Sequence, residues 1–262
     1  MNLGLEGKVA WVLGGSSGLG RAAATSMAAE GAHVAVSSRN EQTLKAAASE
    51  IAEETGSPCI AVPLDVTDRD AIADAARRVA GELGPVDILV SNSGGPPPGR
   101  FTDLDDGALA GAFALTTASA WRLTKAVVPA MLERGSGVLV YLTSGSTKEY
   151  LPNLLLSNMM RPAVVGMMKT ISKELGPQGI RSLCVAPGRI ETQRLQQLDE
   201  AAAERTGKSV EEIREQLHAT IPTGRYGEPR EFGDVVAFLA SERASYVSGI
   251  TVLVDGGMLN VY

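Results

Sequence analysis

Three glycines in the pattern Gly14-x-x-x-Gly18-x-Gly20 could bind the phosphates of a nucleotide. They join an apolar run, typical of a buried strand, to an alanine-rich run with helical character. Gly14 permits a tight turn, Gly18 lets the backbone approach a pyrophosphate, and Gly20 lets the helix pack against the sheet, so free N–H groups face an anion. An ordinary glycine-rich loop is the alternative, since the pattern alone is weak. The predicted phosphate-binding residues are Gly14, Ser16, Ser17, Gly18, Leu19 and Gly20.

Two residues at the end of the second predicted strand could select the nucleotide. Ser38 and Arg39 stand there, and no carboxylate appears before Glu41. An NAD site places Asp or Glu at this point to bind the 2′-hydroxyl of the adenosine ribose. Ser38 offers a hydroxyl and Arg39 a planar guanidinium suited to a phosphate, so the pair favours NADP(H) over NAD(H). The alternative is a solvated arginine in a turn before a helix.

Short apolar runs alternate with longer amphipathic runs along the chain. The strand candidates are apolar on both faces, as in a parallel sheet covered by helices on both sides. The sequence therefore predicts one doubly wound α/β domain over residues 1–262, with a parallel sheet of seven strands. The predicted strands are 9–13, 33–37, 59–64, 88–91, 138–143, 181–186 and 251–254. The predicted helices are 18–30, 41–54, 69–82, 112–133, 155–175 and 228–240.

The segment 193–222 lies outside this strand–helix alternation. It is polar, rich in Ala and Glu, and broken at Gly207. Ser209 followed by Glu212 is the pattern of a capping box, which predicts a second helix after the break. We interpret the segment as a helical lid over the site; a surface decoration or an oligomer contact is the alternative.

Composition limits the classes of partner. The chain has 262 residues and a formal net charge of −6, which argues against nucleic acid or anionic membranes as partners. Cys59 and Cys184 lie in apolar runs, which indicates buried free thiols in a reducing compartment. The start of the chain lacks the pattern of a signal peptide, and no apolar run is long enough to span a membrane. We therefore expect a cytoplasmic protein, and no cluster of residues has the spacing of a metal site.

With these motifs in place, the chain resembles the short-chain dehydrogenase/reductase (SDR) family over essentially its whole length, most closely the 3-oxoacyl-carrier-protein-reductase-like branch. The glycine turn matches, although Leu13 replaces the usual Thr, and the end of the chain, 249–257, matches the family's last strand. The resemblance implies a Rossmann fold. It also implies that Asp65 and Val66 contact the adenine and that Asn92 and Gly94 belong to a motif at the end of the fourth strand. The Pro-Gly motif that holds the nicotinamide would comprise Pro187, Gly188, Ile190 and Thr192.

The resemblance also locates the catalytic positions, where this chain departs from the family. The family uses an Asn, a Ser, a Tyr and a Lys, and the matching positions hold Thr116, Ser144, Ser157 and Arg161. A serine hydroxyl is shorter and far less acidic than a phenol. Arg161 could still bridge the ribose hydroxyls, but it remains charged and cannot relay a proton. The candidate catalytic residues are thus Ser144, Ser157 and Arg161, and the nearby Tyr150 is interpreted as a packing residue.

Three functions stay open at this point. The first is an NADP(H)-dependent oxidoreductase that acts on a small carbonyl or alcohol with non-standard catalytic residues. The second is a non-catalytic NADP(H)-binding sensor or partner protein. The third, a halohydrin-dehalogenase-like chemistry, fits less well, because those proteins keep the Tyr and lose the nucleotide motif. The resemblance implies a homotetramer or homodimer assembled through helices 112–133 and 155–175.

Overall fold

The computed structural model describes residues 2–261 as one parallel sheet with helices on both faces, which confirms the predicted fold class. The strand order is β3-β2-β1-β4-β5-β6-β7, and it reverses between β1 and β4. The strands are β1 Val9–Leu13, β2 His33–Ser37, β3 Cys59–Ala61, β4 Ile88–Ser91, β5 Gly137–Leu142, β6 Ile180–Pro187 and β7 Thr251–Val254. The helices are α1 Gly18–Ala29, α2 Glu41–Thr55, α3 Arg69–Glu82, α4 Asp106–Ala112, α5 Ser119–Arg134, α6 Leu155–Glu174, α7 Gln193–Thr206, α8 Val210–His218 and α9 Pro229–Ala240.

Strand β1 shows how the sheet is buried on both sides. Its residues alternate between two apolar clusters: Val12 packs with α1, α2 and α9, whereas Trp11 packs with α3, α5 and α6. The Trp11 side chain is fully buried, and its indole N–H donates to Ser37 Oγ over 2.9 Å. Because β1 pairs with β2 on one side and β4 on the other, the crevice at the reversal opens at its carboxyl end.

Most observed bounds lie within one residue of the predicted ones, and two elements differ by more. Strand β3 is Cys59–Ala61, shorter than the predicted 59–64, although the Val62 and Leu64 N–H groups still donate to the Val36 and Ser38 carbonyls over 2.9 and 3.0 Å. The predicted helix 112–133 belongs to a longer helical stretch, 106–134, that begins with α4 and continues as a π-helical segment, Phe113–Ala118, and α5. Thr116 Oγ1 donates to the Ala112 carbonyl over 2.6 Å, and Ser119 Oγ donates to the Leu115 carbonyl over 2.6 Å. These side-chain bonds compete with the backbone pattern of an α-helix.

The segment 193–222 contains α7 and α8, separated by Gly207 in a left-handed conformation. The predicted capping box is present: Ser209 N–H donates to Glu212 Oε2 over 2.8 Å, and Glu212 N–H donates to Ser209 Oγ over 3.1 Å. These two bonds satisfy the first N–H groups of α8, so the helix starts where the sequence predicts.

Both cysteines of the chain are free thiols. Burial raises the pKa of the Cys59 and Cys184 thiols to about 12, so both are neutral and unreactive near pH 7.

Within residues 2–261, no helix has both the length and the apolar character required to cross a membrane.

Candidate functional site

A cleft of about 1000 Å³ opens at the carboxyl ends of β1, β4, β5 and β6. Its walls also include the first residues of α7 and the last residues of the chain, Met258 to Asn260. The predicted site residues that line it are Gly14, Ser16, Ser17, Gly18, Leu19, Asn92, Gly94, Ser144, Ser157, Arg161, Pro187, Gly188 and Thr192. The other predicted site residues do not line this cleft: Gly20 lies in α1, Ser38 and Arg39 follow β2, Asp65 and Val66 follow β3, and Ile190 follows β6.

The glycine turn forms a cradle that side chains would fill. Gly14 has φ +66° and Gly18 has φ +55°, in the left-handed region that favours glycine. A Cβ on Gly14 would lie 2.5 Å from Asn92 Nδ2, and one on Gly20 would collide with the Gly14 carbonyl oxygen. Ser17 caps α1 with no side-chain hydrogen bond, so the first N–H groups of that helix are left for an anion.

Gly15 is a position that the sequence prediction missed. A Cβ there would lie 2.7 Å from Val36 Cβ, and its N–H donates to the Ser37 carbonyl over 3.2 Å. The turn is therefore pressed against β2. The doubled Gly14-Gly15 pair was the available signal in the sequence.

The outer end of the crevice holds an unpaired hydroxyl. Ser38 Oγ is buried and has no hydrogen-bond partner among residues 2–261, whereas Arg39 is exposed beside it. Hydrogen bonds from the Thr67 N–H and hydroxyl lower the pKa of Asp65, and the charge of Arg39 lowers it further. A buried hydroxyl without a partner, next to a guanidinium, fits a ribose that carries a phosphate.

Two of the candidate catalytic residues belong to a hydrogen-bonded set of serines. Ser144 lies two residues after β5 and caps a short 3₁₀ turn, and its Oγ accepts from Ser146 N–H over 3.2 Å. Ser146 Oγ lies 3.0 Å from Ser157 Oγ, in the first turn of α6. The sequence prediction did not identify Ser146, although the spacing Ser144-x-Ser146 at a strand end was its visible signal.

Arg161 follows Ser157 by one helical turn. Its Nη1 donates to the Leu142 carbonyl over 3.0 Å, and none of the ion pairs found within residues 2–261 involves it. Burial lowers the pKa of the guanidinium to about 10, so it still carries its charge near pH 7. The side chain therefore brings a positive charge and spare N–H donors to the cleft.

Thr116 and Tyr150 occupy different surroundings. Thr116 is buried in the π-helical segment and lines a small void together with Arg161. Tyr150 lines the cleft but is 73% exposed, so packing does not hold its side chain as the sequence interpretation expected.

A buried carboxylate ties α7 to the residues around the cleft. Asp199 accepts from the Tyr226 hydroxyl over 3.1 Å and lies 3.5 Å from Arg189 Nη1. Arg214 of α8 lies 4.0 Å from Asp199, and the His218 ring packs edge-on against Tyr226 with ring centres 4.5 Å apart. The segment 193–222 is therefore attached through a polar network as well as through apolar packing.

Comparison with known proteins gives the family. A family model described as enoyl-(acyl carrier protein) reductase matches residues 14–259. The chain is 33% identical to 3-oxoacyl-(acyl-carrier-protein) reductase FabG of Thermotoga maritima, over 97% of this chain and 99% of the relative. It is 34% identical to dehydrogenase/reductase SDR family member 4 of Bos taurus, over 98% of this chain and 88% of the relative.

A solved structure agrees with these relatives. L-sorbose reductase of Gluconobacter frateurii, complexed with NADPH and L-sorbose, superposes with a TM-score of 0.95 at 30% identity, and the match covers 100% of both chains. Sequence identity and fold similarity therefore both extend over essentially the whole chain. The protein belongs to the short-chain dehydrogenase/reductase family of oxidoreductases.

Proposed function

We propose that this protein is an NADP(H)-dependent oxidoreductase of a small carbonyl or alcohol, with serine and arginine where the family uses tyrosine and lysine. The observation that carries the proposal is one cleft lined both by the glycine turn and by Ser144, Ser157 and Arg161. A phosphate cradle thus opens onto hydroxyl donors and a positive charge. The L-sorbose reductase relative, which holds NADPH and a sugar, supports the same arrangement of ligands.

The cofactor would be held by residues at the carboxyl edge of the sheet. The turn from Gly14 to Gly20 would hold the pyrophosphate through backbone N–H groups. Asp65 and Val66 would contact the adenine, and the residues that would hold the nicotinamide half are Asn92, Gly94, Arg161, Pro187, Gly188, Ile190 and Thr192. When bound, the nicotinamide supplies the hydride.

Preference for the phosphorylated nucleotide rests on Ser38 and Arg39. The buried Ser38 hydroxyl has no partner of its own, and Arg39 is free to face a 2′-phosphate. A carboxylate at this place would instead repel the phosphate, and none is present between Val36 and Asn40.

The catalytic roles follow from the chemistry of each side chain. Ser144 and Ser157 would donate hydrogen bonds to the substrate oxygen, which gains negative charge as the carbonyl is reduced. Arg161 would hold the nicotinamide ribose and stabilise that charge. Its lowered pKa of about 10 keeps it charged near pH 7, and the proton that converts the alkoxide to the alcohol would come from water in the open cleft.

We also propose that α7 and α8 form a lid over the substrate. Gln193, Leu198 and Leu217 of these helices line the cleft, so the segment 193–222 lies against whatever binds there. The Asp199 network would hold the lid in place.

We further propose a cytoplasmic homodimer or homotetramer assembled through α5 and α6. Three large apolar side chains on these helices and the adjoining π-helical segment are exposed: Phe113, Trp121 and Met159. Sedimentation velocity tests the assembly, and a sole monomeric species at micromolar concentration contradicts it.

The direct test of the activity is NADPH consumption with a panel of carbonyl compounds: ketoses, β-keto thioesters, α-diketones and aryl ketones. We expect turnover with at least one class, reduced at least about 100-fold by the double substitution Ser144→Ala and Ser157→Ala, because both donors to the oxygen are lost. Ser182→Ala, which removes a buried hydroxyl bonded to the Met168 carbonyl, is the matched control and should retain activity. Unchanged turnover in the double variant would refute the site. Tight NADPH binding without any turnover would favour a nucleotide-binding protein that is not an enzyme.

A further inference from the structure

Ser146 contacts both serines that line the cleft. Its N–H donates to Ser144 Oγ over 3.2 Å, and its hydroxyl oxygen lies 3.0 Å from Ser157 Oγ. Ser144 and Ser157 line the cleft, whereas Ser146 lies behind them and is buried. Both contacts come from a single residue of the 3₁₀ turn, so the positions of the two outer hydroxyls depend on that turn.

The hydrogen count shows what this arrangement does. A serine hydroxyl has one hydrogen to donate and can accept. Ser144 Oγ accepts from the Ser146 backbone, so its own hydrogen remains available to the cleft. Either partner of the Ser146–Ser157 pair can be the donor. When Ser146 donates, the Ser157 hydrogen is also available, and both hydroxyls that line the cleft become donors.

The environment favours that direction once a carbonyl is bound. A chain in which Ser146 donates to Ser157, and Ser157 donates to the ligand, strengthens each of its bonds. The charged Arg161 guanidinium one turn along α6 favours negative charge on the same oxygen. Each of these effects is larger in a site of low polarity than in water.

The other residues that line the cleft indicate which kind of substituent the carbonyl compound has. Leu151, Leu198, Leu217, Met258 and Leu259 line the same cleft. A Cβ on Gly145 would lie 3.0 Å from Leu259 Cδ1, so the end of the chain packs directly on the turn that holds the serines. An apolar substituent next to the carbonyl would contact these side chains.

We propose that Ser146 is a positioning residue that orients Ser144 and Ser157 as paired donors to one carbonyl oxygen, in a ketone with an apolar substituent. This inference rests on the proposed function, because it assigns the substrate class of that site. Ser146 acts through its neighbours and does not touch the substrate.

The test uses acetophenone as the probe, at millimolar concentration, with NADP⁺ so that no reduction occurs. Isotope-edited infrared spectroscopy of the ¹³C-labelled carbonyl reports how strongly its oxygen accepts hydrogen bonds. We expect a band at lower frequency in the wild-type complex than in water. With Ser146→Ala, the displacement should fall by about half, because Ser157 loses its fixed donor. Combining Ser146→Ala with Ser157→Ala should cause little further change beyond Ser157→Ala alone.

Controls separate positioning from folding. Thr147→Val removes the hydrogen bond from Thr147 Oγ1 to the Ser144 carbonyl in the same turn and should keep the wild-type band. Ser146→Cys retains the size with a weak donor and should give an intermediate band, which also replaces the alanine variant if that one does not fold. A wild-type band in Ser146→Ala, or equal losses in Ser146→Ala and Thr147→Val, overturns the proposal.

Measuring NADP⁺ affinity distinguishes a failure of this proposal from a failure of the proposed function. NADP⁺ affinity is measured for every variant and should stay within about twofold, because Ser146 lies away from the phosphate cradle. Binding of NADP⁺ with no displaced carbonyl band overturns the hydroxyl pair and leaves the cofactor proposal intact. Failure to bind NADP⁺ overturns the proposed function, and the carbonyl band recorded without nucleotide then decides the hydroxyl pair.

Discussion

Replacing Asp199 by alanine should weaken the packing of α7 and α8 more than it destabilises the sheet. The carboxylate is 3% exposed and is the shared partner of Tyr226, Arg189 and Arg214. Burial and the negative charge of Asp199 together raise the pKa of the Tyr226 phenol. The substitution therefore leaves one phenol and two guanidinium groups without their common acceptor.

The loss in the free energy of unfolding depends on how well water can replace Asp199 as the partner of these side chains. Breaking a fully buried ion pair costs about 3–5 kcal/mol. Arg189 and Arg214 are 29% and 42% exposed, so water can solvate both charges after the change. Arg214 also keeps its ion pair with Glu191 at 2.5 Å. The remaining cost comes from the Tyr226 hydroxyl and the small cavity, and we expect about 2 kcal/mol.

Two assays resolve this effect. Urea unfolding gives the total loss in free energy, and hydrogen exchange reports which amides lose protection. We expect faster exchange in α7 and α8, with β1 and β5 changed only by the global loss. Asp199→Asn keeps an acceptor for Tyr226 and should lose less stability than the alanine variant. Equal losses in the two variants, or faster exchange confined to the sheet, would refute the network as the attachment of the lid.

Three further outcomes follow from the same geometry. Arg39→Ala should weaken NADPH binding about 30-fold, because a charge-assisted hydrogen bond worth about 2 kcal/mol is lost, and should weaken NADH binding less than about twofold. Calorimetry measures both affinities, and equal weakening would contradict the assignment. Gly15→Ala should lower the free energy of unfolding by about 1–3 kcal/mol through the contact with Val36, measured by urea unfolding, whereas Gly56→Ala meets no neighbour and tests backbone strain alone. Arg161→Met removes a charge that has no carboxylate partner and should raise Tm while it weakens NADPH binding; a lower Tm would show that the guanidinium stabilises the fold.

Activity that depends on the Arg161 charge should fall as pH rises through about 10. Burial lowers the pKa of this guanidinium from its ordinary value to about 10, so the cation is present below that pH and is lost above it. The same shift has a consequence for stability. Above about pH 10 the unfolded chain binds more protons at this position than the folded chain, so this group makes unfolding less favourable as the pH rises. NADPH affinity measured against pH tests the loss of the charge, and Arg161→Met should flatten that profile.

The fold was predictable because the sheet is buried on both faces. Val9–Leu13 is a continuous apolar run, His33–Ser37 has the apolar centre Val34-Ala35-Val36, and both strands have the predicted bounds. The exceptions lie where apolar spacing alone does not fix the bounds of an element. The third apolar run continues to Leu64, three residues past the end of β3, and the Thr116 hydroxyl bonds to a helical carbonyl, which the apolar spacing does not report.

The site was predictable in part for a related reason. Gly14, Gly18 and Gly20 are visible because their spacing along the chain corresponds to a turn. The Ser146–Ser157 contact and the Asp199 network join different elements of the fold, as in the 3.1 Å bond between Tyr226 and Asp199. Such contacts exist only after the helices have packed, so no spacing rule could identify them.

The central claim is tested most directly by titrating purified, nucleotide-free protein with NADPH and, in parallel, with NADH, followed by nucleotide fluorescence. The account predicts saturable NADPH binding at least about tenfold tighter than NADH, which corresponds to about 1.4 kcal/mol contributed by Ser38 and Arg39. Equal affinities would contradict the assignment of these two residues. Absence of binding by either nucleotide would contradict the cofactor cleft itself.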